Sequence, residues 1–285
     1  VTSKQTDGAI VCAGRVYCDL IFTGLTELPR LGEETYAEEL AVEPGGGGFI
    51  TAANLSALGH KTTLLASMPG GPFGSAILDK MQRSGVDLSL SPFNTANGAQ
   101  VTAVIGCQED RAFLTKRNGT AVPRDMLEAF STSKARHLHI GELATLQELP
   151  ELLEIAKAAG MTVSLDCSWD QNCLLNGEVQ DLIAQVDLFL PNEMEAEHLG
   201  YLKEPANCPT LTVVKKGKAG ATAITKDGEI TVAADPVPVV DTTGAGDAFN
   251  AGFLSSWLRG ADIETCLQDG NKCGAAAVMR VGGAP

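Results

Sequence analysis

In the stretch DTTGAGDAFNAGF, residues 241–253, small and flexible residues separate two aspartates and an apolar, helix-period run follows at once. A glycine-rich turn entering a helix leaves several backbone N–H groups unpaired and pointing one way, a ready site for an anion such as phosphate. A carboxylate at the mouth of such a site, here Asp247, is electrostatically costly unless it handles a proton. Phosphoryl transfer to a hydroxyl needs both parts: donors for the equatorial oxygens and a base for the hydroxyl proton. The transition state is mostly loose, so the proton leaves late and an aspartate of ordinary pKa can serve. As a purely structural residue, Asp247 would be a helix cap.

Chemistry of that kind needs a rigid frame. Short β-branched runs at 9–14, 61–67, 136–141, 161–166, 187–192 and 211–216 alternate with segments of helical period: FITAANLSAL, GSAILDKMQRSG, ELPELLEIAKAAG and EVQDLIAQV. That alternation predicts a parallel sheet with crossover helices, whose ligands bind beyond the carboxyl ends of the strands. Two stretches break it. Residues 19–44 and 99–116 hold extended runs apolar on one face, the second folded around QED, and they predict a small projecting sheet, a lid. His137 and His139 alternate with apolar residues in a strand and read as structural.

The 285 residues suffice for a large core, with 44% hydrophobic and 20% charged residues. The net charge of −14 argues against a broad grip on nucleic acid or anionic membrane, so an anionic substrate needs a local, backbone-built site. Eight scattered cysteines without a CxxC pair predict a reducing, cytoplasmic setting and no zinc site. No apolar run long enough to span a membrane and no leader are visible, and nothing functional is read from the polar opening VTSKQTDG.

DTTGAGDAFNAGF is similar to the C-terminal signature of the ribokinase-like (PfkB) family of sugar and nucleoside kinases, and the resemblance spans nearly the whole chain. It implies one ribokinase-like domain over residues 1–285: a three-layer α/β fold with a mostly parallel central sheet flanked by helices and a small β-sheet lid. It makes Asp247 the catalytic base and Gly244, Ala245 and Gly246 the anion hole, with ATP and Mg²⁺ as cofactors. LPNEMEAEHLG resembles the family's N-x-x-E motif, so Asn192 and Glu195 would order magnesium-bound waters; the same residues suit an acidic, capped first helical turn. VVKKGKAGA resembles the family's strand and glycine turn at the nucleotide, implicating Lys215, Gly217 and Gly220, and Asn271 belongs with them. Lys215 stands where a small hydroxyl residue is usual; it either meets phosphate as a point charge or is a solvated strand end. No Walker motif is present.

On the acceptor side the resemblance makes Asp19, Gly46 and Gly47 substrate-binding, joined by Glu142 after RHLHIG. A carboxylate such as Asp19 can accept two hydrogen bonds from neighbouring sugar hydroxyls. Ile50 stands where the family carries a substrate-binding asparagine, and Asn54, one helical turn later, is the candidate substitute. Gly70 and Gly71 replace acids common in the family. Asp241, Thr243, Ala277, Arg280 and Gly282 resemble a monovalent-cation loop, for K⁺, and family lids often pair between two subunits, which implies a homodimer. The leading expectation is an ATP-dependent kinase acting on a hydroxyl, primary by preference, of a sugar or small polyol. A nucleoside kinase, suggested by Ile50, and a catalytically silent nucleotide- or sugar-binding regulator remain open.

Overall fold

The computed structural model describes residues 9–107, 110–202 and 211–285. The opening VTSKQTDG, the tip residues 108–109 of the 99–116 run and Cys208 lie outside them. The chain begins with β1 (Ile10–Ala13), β2 (Tyr17–Leu25), β3 (Glu39–Gly45), α1 (Gly47–Ala57), β4 (Thr62–Leu65) and α2 (Gly71–Arg83). It continues through β5 (Val101–Cys107), β6 (Asp110–Lys116), α3 (Leu127–Ser131), β7 (His137–Ile140), α4 (Leu143–Glu148), α5 (Glu151–Ala158) and β8 (Thr162–Asp166). The last part holds α6 (Gln171–Leu174), α7 (Val179–Ile183), β9 (Leu188–Leu190), α8 (Glu193–His198), β10 (Leu211–Lys215), β11 (Ala221–Thr225), β12 (Gly228–Val232), α9 (Ala245–Trp257) and α10 (Ile263–Val278).

Two sheets form. Sheet A has the order β12-β11-β10-β9-β8-β7-β1-β4; it is parallel from β10 to β4, and β11 and β12 add an antiparallel edge hairpin. That hairpin is the part of the sheet that the strand–helix alternation did not announce. The period of two along each strand splits the core into two apolar layers. Val11, Ala13, Leu138, Ile140, Val163, Leu165 and Phe189 pack with α3 to α7 on one face. Ile10, Cys12, Leu188, Leu190 and Val213 pack with α1, α2, α9 and α10 on the other. The result is the expected three-layer α/β architecture. α1 is buried from Gly48 through Leu55 because it lies between β1, β4 and α9.

His137 and His139 face the α9 side. His137 Nδ1 and Nε2 bond Thr162 Oγ1 and Ser164 Oγ at 2.8 Å each, and His139 Nδ1 bonds Ser164 Oγ at 2.9 Å. Burial holds both neutral, driving His137 well below the usual range and His139 down to about 4, as suits a structural inlay.

Sheet B is separate, with the order β3-β2-β5-β6; it is formed by the two extended runs, but its strands carry apolar residues on both faces and not on one. Asp19 pairs with Thr102 and Thr102 with Thr115 in one cross-strand row; Ile21, Val104 and Phe113 form the next; Gly106 pairs with Arg111 in the next. Asp19, Ile21 and Val104 are buried on this inner face. The opposite face carries Leu20, Phe22, Leu40, Val42, Ala103, Ile105 and Leu114, and Leu40 and Leu114 are 55% and 73% exposed.

Candidate active site

Strand addition reverses between β1 and β7: the chain first builds outward to β4, then returns and continues from β7 on the other side of β1. Open α/β sheets bind ligands at such a switch point, beyond the strands' carboxyl ends. Gly14 and Arg15 after β1, Gly141 and Glu142 after β7, Asp166 ending β8, Asn192 after β9 and Lys215 ending β10 all lie there.

The glycine-rich turn enters α9 as expected. Gly244 is its N-cap at φ 71 and no side chain caps the helix; Ala245 N donates to Thr242 O at 3.3 Å, closing the turn that leads into the helix. A Cβ at Gly244 would stand 2.4 Å from Gly283 Cα, so the 241–246 turn can lie against the 280–283 turn only with glycine at that place. Asp247, in the first helical turn and partly open to solvent, projects toward the start of α1. Its Oδ1 lies 2.9 Å from where a Cβ on Gly47 would be, and Gly141 O lies 2.6 Å from the same point. Asp19 approaches the same glycine run from sheet B, its Oδ2 within 2.0 Å of a Cβ placed on Gly45. Gly46, at φ 98, passes Arg15 O with no room for a Cβ.

Burial pushes Asp247 up to about 7, the charge of Asp166 adds to this, and Lys215 and Arg111 oppose it. Burial likewise raises Asp19 to about 8, with Asp247 the largest of the charges that contribute. Two carboxylates, both with raised proton affinity and one under the field of the other, face one gap, an arrangement typical of proton-handling sites.

Lys215 is not a solvated strand end. Its Nζ donates to both Asp166 oxygens at 2.9 Å and to Asn250 Oδ1 at 3.2 Å, and it stands 3.4 Å from a Cβ placed on Gly246. Asn250 Nδ2 also donates to Asp166 Oδ2 at 2.5 Å. The sequence reading missed Asp166 and Asn250. Their signals were an acid ending a core strand, and a buried amide three residues beyond Asp247 in an apolar helix. A third omission is Arg15, almost fully buried, whose guanidinium binds Gln100 Oε1, Asn118 O and Glu148. Arg15 N and Thr145 Oγ1 both donate to Glu142 Oε1, at 3.3 and 2.8 Å, so Glu142 is a braced, buried acid at the β7 exit.

Asn192 and Glu195 form a reciprocal capping box at the start of α8: Glu195 N donates to Asn192 Oδ1 at 2.9 Å, and Asn192 N to Glu195 Oε2 at 2.8 Å. Glu195 is buried and pushed up to about 7 by that burial and by Asp166. Among the described residues no three His, Cys, Asp or Glu side chains converge closely enough to hold a metal on their own. The donor set therefore fits a magnesium ion carried by phosphate and water, with Asn192 and Glu195 as outer partners. Gly217, at φ 55, opens a short 3₁₀ turn, and a Cβ on Gly220 would meet Val232 O at 2.0 Å.

One expectation is revised by the geometry, and three other expected residues find contacts within the protein. Asn54 donates to Ile50 O and Gly283 O at 2.9 and 3.0 Å and accepts from Arg280, so its amide braces the C-terminal turn instead of replacing a sugar ligand. Ile50 puts Cγ2 and Cδ1 under Gly244 and Gly283, a floor for the glycine turn. Asn271 Nδ2 donates to Val232 O and Ala233 O at 3.0 and 3.3 Å, pinning the β12 exit to α10. In the cation loop, Asp241 Oδ1 accepts from Thr243 N and Oγ1 and Oδ2 from Gly282 N, while Ala277 O accepts from Arg280 N. Asp241 is thus a brace satisfied by protein donors. Gly70 and Gly71 let the Asn97 backbone pass, since a Cβ on Gly70 would lie 1.9 Å from Asn97 O.

Known proteins are similar to this chain in sequence and in fold. A sugar kinase of Archaeoglobus fulgidus is 30% identical over 80% of this chain and 95% of its own length. The ribokinase of Bacillus subtilis is 25% identical over 96% of this chain and 94% of its own. The solved structure of Arabidopsis thaliana ribokinase with ribose and ATP superposes with a TM-score of 0.78 at 20% identity, covering 97% of this chain and 94% of that one. The description "pfkB family carbohydrate kinase" matches residues 8–285, a span that takes in both sheets, the paired carboxylates and the glycine turn, and the chain belongs to that family.

Proposed function

We propose that this protein transfers the γ-phosphoryl group of ATP to a hydroxyl of a sugar or related small polyol. The observation that carries the reading is the gap in which Asp247, at the open N-terminus of α9, faces Gly47 and the Asp19 carboxylate from sheet B. Asp19 accepts hydrogen bonds from acceptor hydroxyls, and Asp247 takes the proton of the attacking one. The reading takes the attacking hydroxyl to be a primary one, which as a terminal CH₂OH is the least hindered nucleophile of a sugar or polyol. The N–H groups of Gly244 to Gly246 hold the transferring phosphoryl oxygens, and Lys215 lends its charge beside Gly246. Magnesium, held through water by Asn192 and Glu195, would neutralise the donor phosphates. Sheet B serves as a lid that excludes water from the gap. Because Asp247 must be unprotonated to act, turnover should rise with pH and level off above about 7.

The exposed apolar outer face of sheet B, with Leu40 and Leu114, supports a homodimer formed through the lids. Sedimentation equilibrium checks it, and a monomer at micromolar concentration counts against it. Seven cysteines among the described residues are free thiols, which supports a reducing, cytoplasmic setting, and no helix among these residues is long and apolar enough to cross a membrane. Potassium at the 277–282 carbonyls would only stiffen the glycine turn, so exchanging it for tetramethylammonium should change turnover less than about tenfold, well below the loss expected for removing an oxyanion-type donor. The function itself is tested with MgATP and a panel of sugars, polyols and nucleosides, following ADP release. The reading expects a sugar or polyol to give the highest kcat/KM; preference for a nucleoside, or no transfer to any acceptor despite ATP binding, would overturn it.

A further inference from the structure

Asp19 is held from two sides. On β2 it pairs with Glu43 of β3 and with Thr102 of β5, and Thr102 pairs in turn with Thr115 of the edge strand β6. Toward β3 the Asp19 carboxylate lies over Gly45: its two oxygens and Cγ are all within 2.4 Å of where a Cβ on that residue would be, so only glycine leaves it the space. Toward β5 it shares a side-chain hydrogen bond with Thr102. Thr102 Oγ1 lies 3.2 Å from Thr115 Oγ1. Thr102 is buried, whereas Thr115 is exposed.

Counting protons gives the row a direction. A threonine hydroxyl carries one proton to donate, and an ionised carboxylate can only accept. With the Thr102 proton committed to Asp19, the contact between Thr102 and Thr115 needs Thr115 as its donor. The row therefore runs one way, from Thr115 to Thr102 to Asp19. The charges around Asp19 show what such a row supplies. Asp247 from α9, Asp241 from the glycine-rich turn and Glu43 from β3 all act on it with negative charge, and the Lys80 ammonium of α2 is bonded to Glu43 at 2.8 Å. Burial holds the Asp19 carboxyl up at about 8, those three acids add to this, and the Thr102 hydrogen bond opposes it. Without a donor on one oxygen, a carboxylate so surrounded would take up a proton or rotate away from Asp247.

We propose that Thr102 and Thr115 are positioning residues for the acceptor, a hydroxyl relay across sheet B that holds one oxygen of Asp19 and turns the other toward the acceptor hydroxyls at the glycine run 45–47. This rests on the kinase reading and deepens it: acceptor affinity depends on two hydroxyls that never touch the acceptor, one of them on the exposed edge strand of the second sheet. A hydrogen bond to an ionised group is roughly twice as strong as one between neutral groups, so the inner link, Thr102 to Asp19, carries most of the effect. The outer link polarises the Thr102 hydroxyl from behind and strengthens the inner one. Serine keeps the donor and valine keeps the shape, so the two substitutions separate the hydroxyl from the volume. Valine also suits a strand, which preserves the sheet.

The test compares wild type, Thr102→Val, Thr102→Ser and Thr115→Val with MgATP and the acceptor that gives the highest kcat/KM in the panel, between about pH 6 and about pH 10. Thr102→Val should raise the acceptor KM about tenfold or more, the scale of a lost hydrogen bond to a charged group, with kcat within about threefold. In wild type, kcat/KM for the acceptor should rise with pH in two steps, at about 7 for Asp247 and about 8 for Asp19. Removing a donor from a carboxylate raises its pKa, so Thr102→Val should move the upper step higher by about half a unit or more and leave the lower one in place. Thr102→Ser should restore both the KM and the profile, and Thr115→Val should raise the KM about threefold. Carboxyl ¹³C NMR of aspartate-labelled protein, assigned with Asp19→Asn, reads the same shift of Asp19 with no acceptor present. Wild-type KM and profile in Thr102→Val would show the relay to be wrong while the kinase reading stands. The relay is equally overturned if Thr102→Ser loses as much as Thr102→Val, if kcat falls and the KM does not move, or if Thr115→Val behaves as wild type. If wild type phosphorylates no acceptor, the kinase reading fails and the acceptor role of the relay fails with it.

Discussion

Replacing Asp247 by Asn should make the protein more stable at pH 8, and the gain should vanish in acid. Folding raises the Asp247 pKa from 3.8 to about 7, so the folded chain binds a proton there that the unfolded chain has already lost. A carboxylate of this kind destabilises the fold progressively as pH rises from about 4 to about 7, after which the penalty is constant. At about 1.4 kcal/mol per pKa unit, the whole shift corresponds to about 4 kcal/mol. Part of it belongs to mutual repulsion with Asp166 and Glu195, which take up the relief when Asp247 is neutralised. The gain expected above pH 7 is therefore about 1–2 kcal/mol, or roughly 2–8 °C in Tm for a domain of this size. Thermal unfolding of both proteins from pH 4 to pH 8 reads it directly. Equal stability at pH 8, or a gain that is the same at pH 4, would refute the claim that this carboxylate is held in an unfavourable, proton-seeking state.

Two further substitutions probe the frame of the site. Lys215→Met strands the buried Asp166 carboxylate without its cation and should cost about 2–4 kcal/mol in chemical denaturation, as well as weakening MgATP binding; wild-type stability would show that the pair contributes nothing. Gly244→Ala combines a left-handed φ with a collision against Gly283, so it should cost at least about 2 kcal/mol and abolish turnover, whereas Gly217→Ala meets open space and should cost only about 1 kcal/mol with turnover retained. Similar losses in the two glycine variants would mean that the packing of the two turns does not hold the anion hole.

The fold was largely legible because its parallel strands announce themselves as β-branched runs spaced by helical periods. The second sheet was legible because its extended runs break the alternation of strand and helix, although apolar residues stand on both of its faces. The edge hairpin β11–β12 was not: its strands follow a glycine turn with no intervening helix, and the outer one, GEITV, is almost wholly exposed and lacks a core signature. In the site, a motif fixes the local backbone of neighbours along the chain, so the glycine turn that enters α9 at Gly244, with Asp247 in its first turn, could be read directly. Asp166, Asn250 and Lys215 come from three separate elements, and their union depends on how β8 and β10 flank β9 beneath α9. The reading of Asn54 failed for a related reason. Helical spacing put it on the correct face, but the 280–283 turn, more than two hundred residues away, folds over that face and takes its hydrogen bonds.

The central claim is that Asp247 removes the acceptor proton while the glycine turn holds the phosphoryl group. Its most direct test is single-turnover transfer from radiolabelled MgATP to the best acceptor, by wild type and by Asp247→Asn, with ATP binding measured in parallel. The account predicts unchanged ATP affinity and a loss in the transfer rate of about 10³-fold or more, near the upper part of the range for a general base. Transfer by Asp247→Asn within tenfold of wild type, with ATP bound equally well, would contradict it.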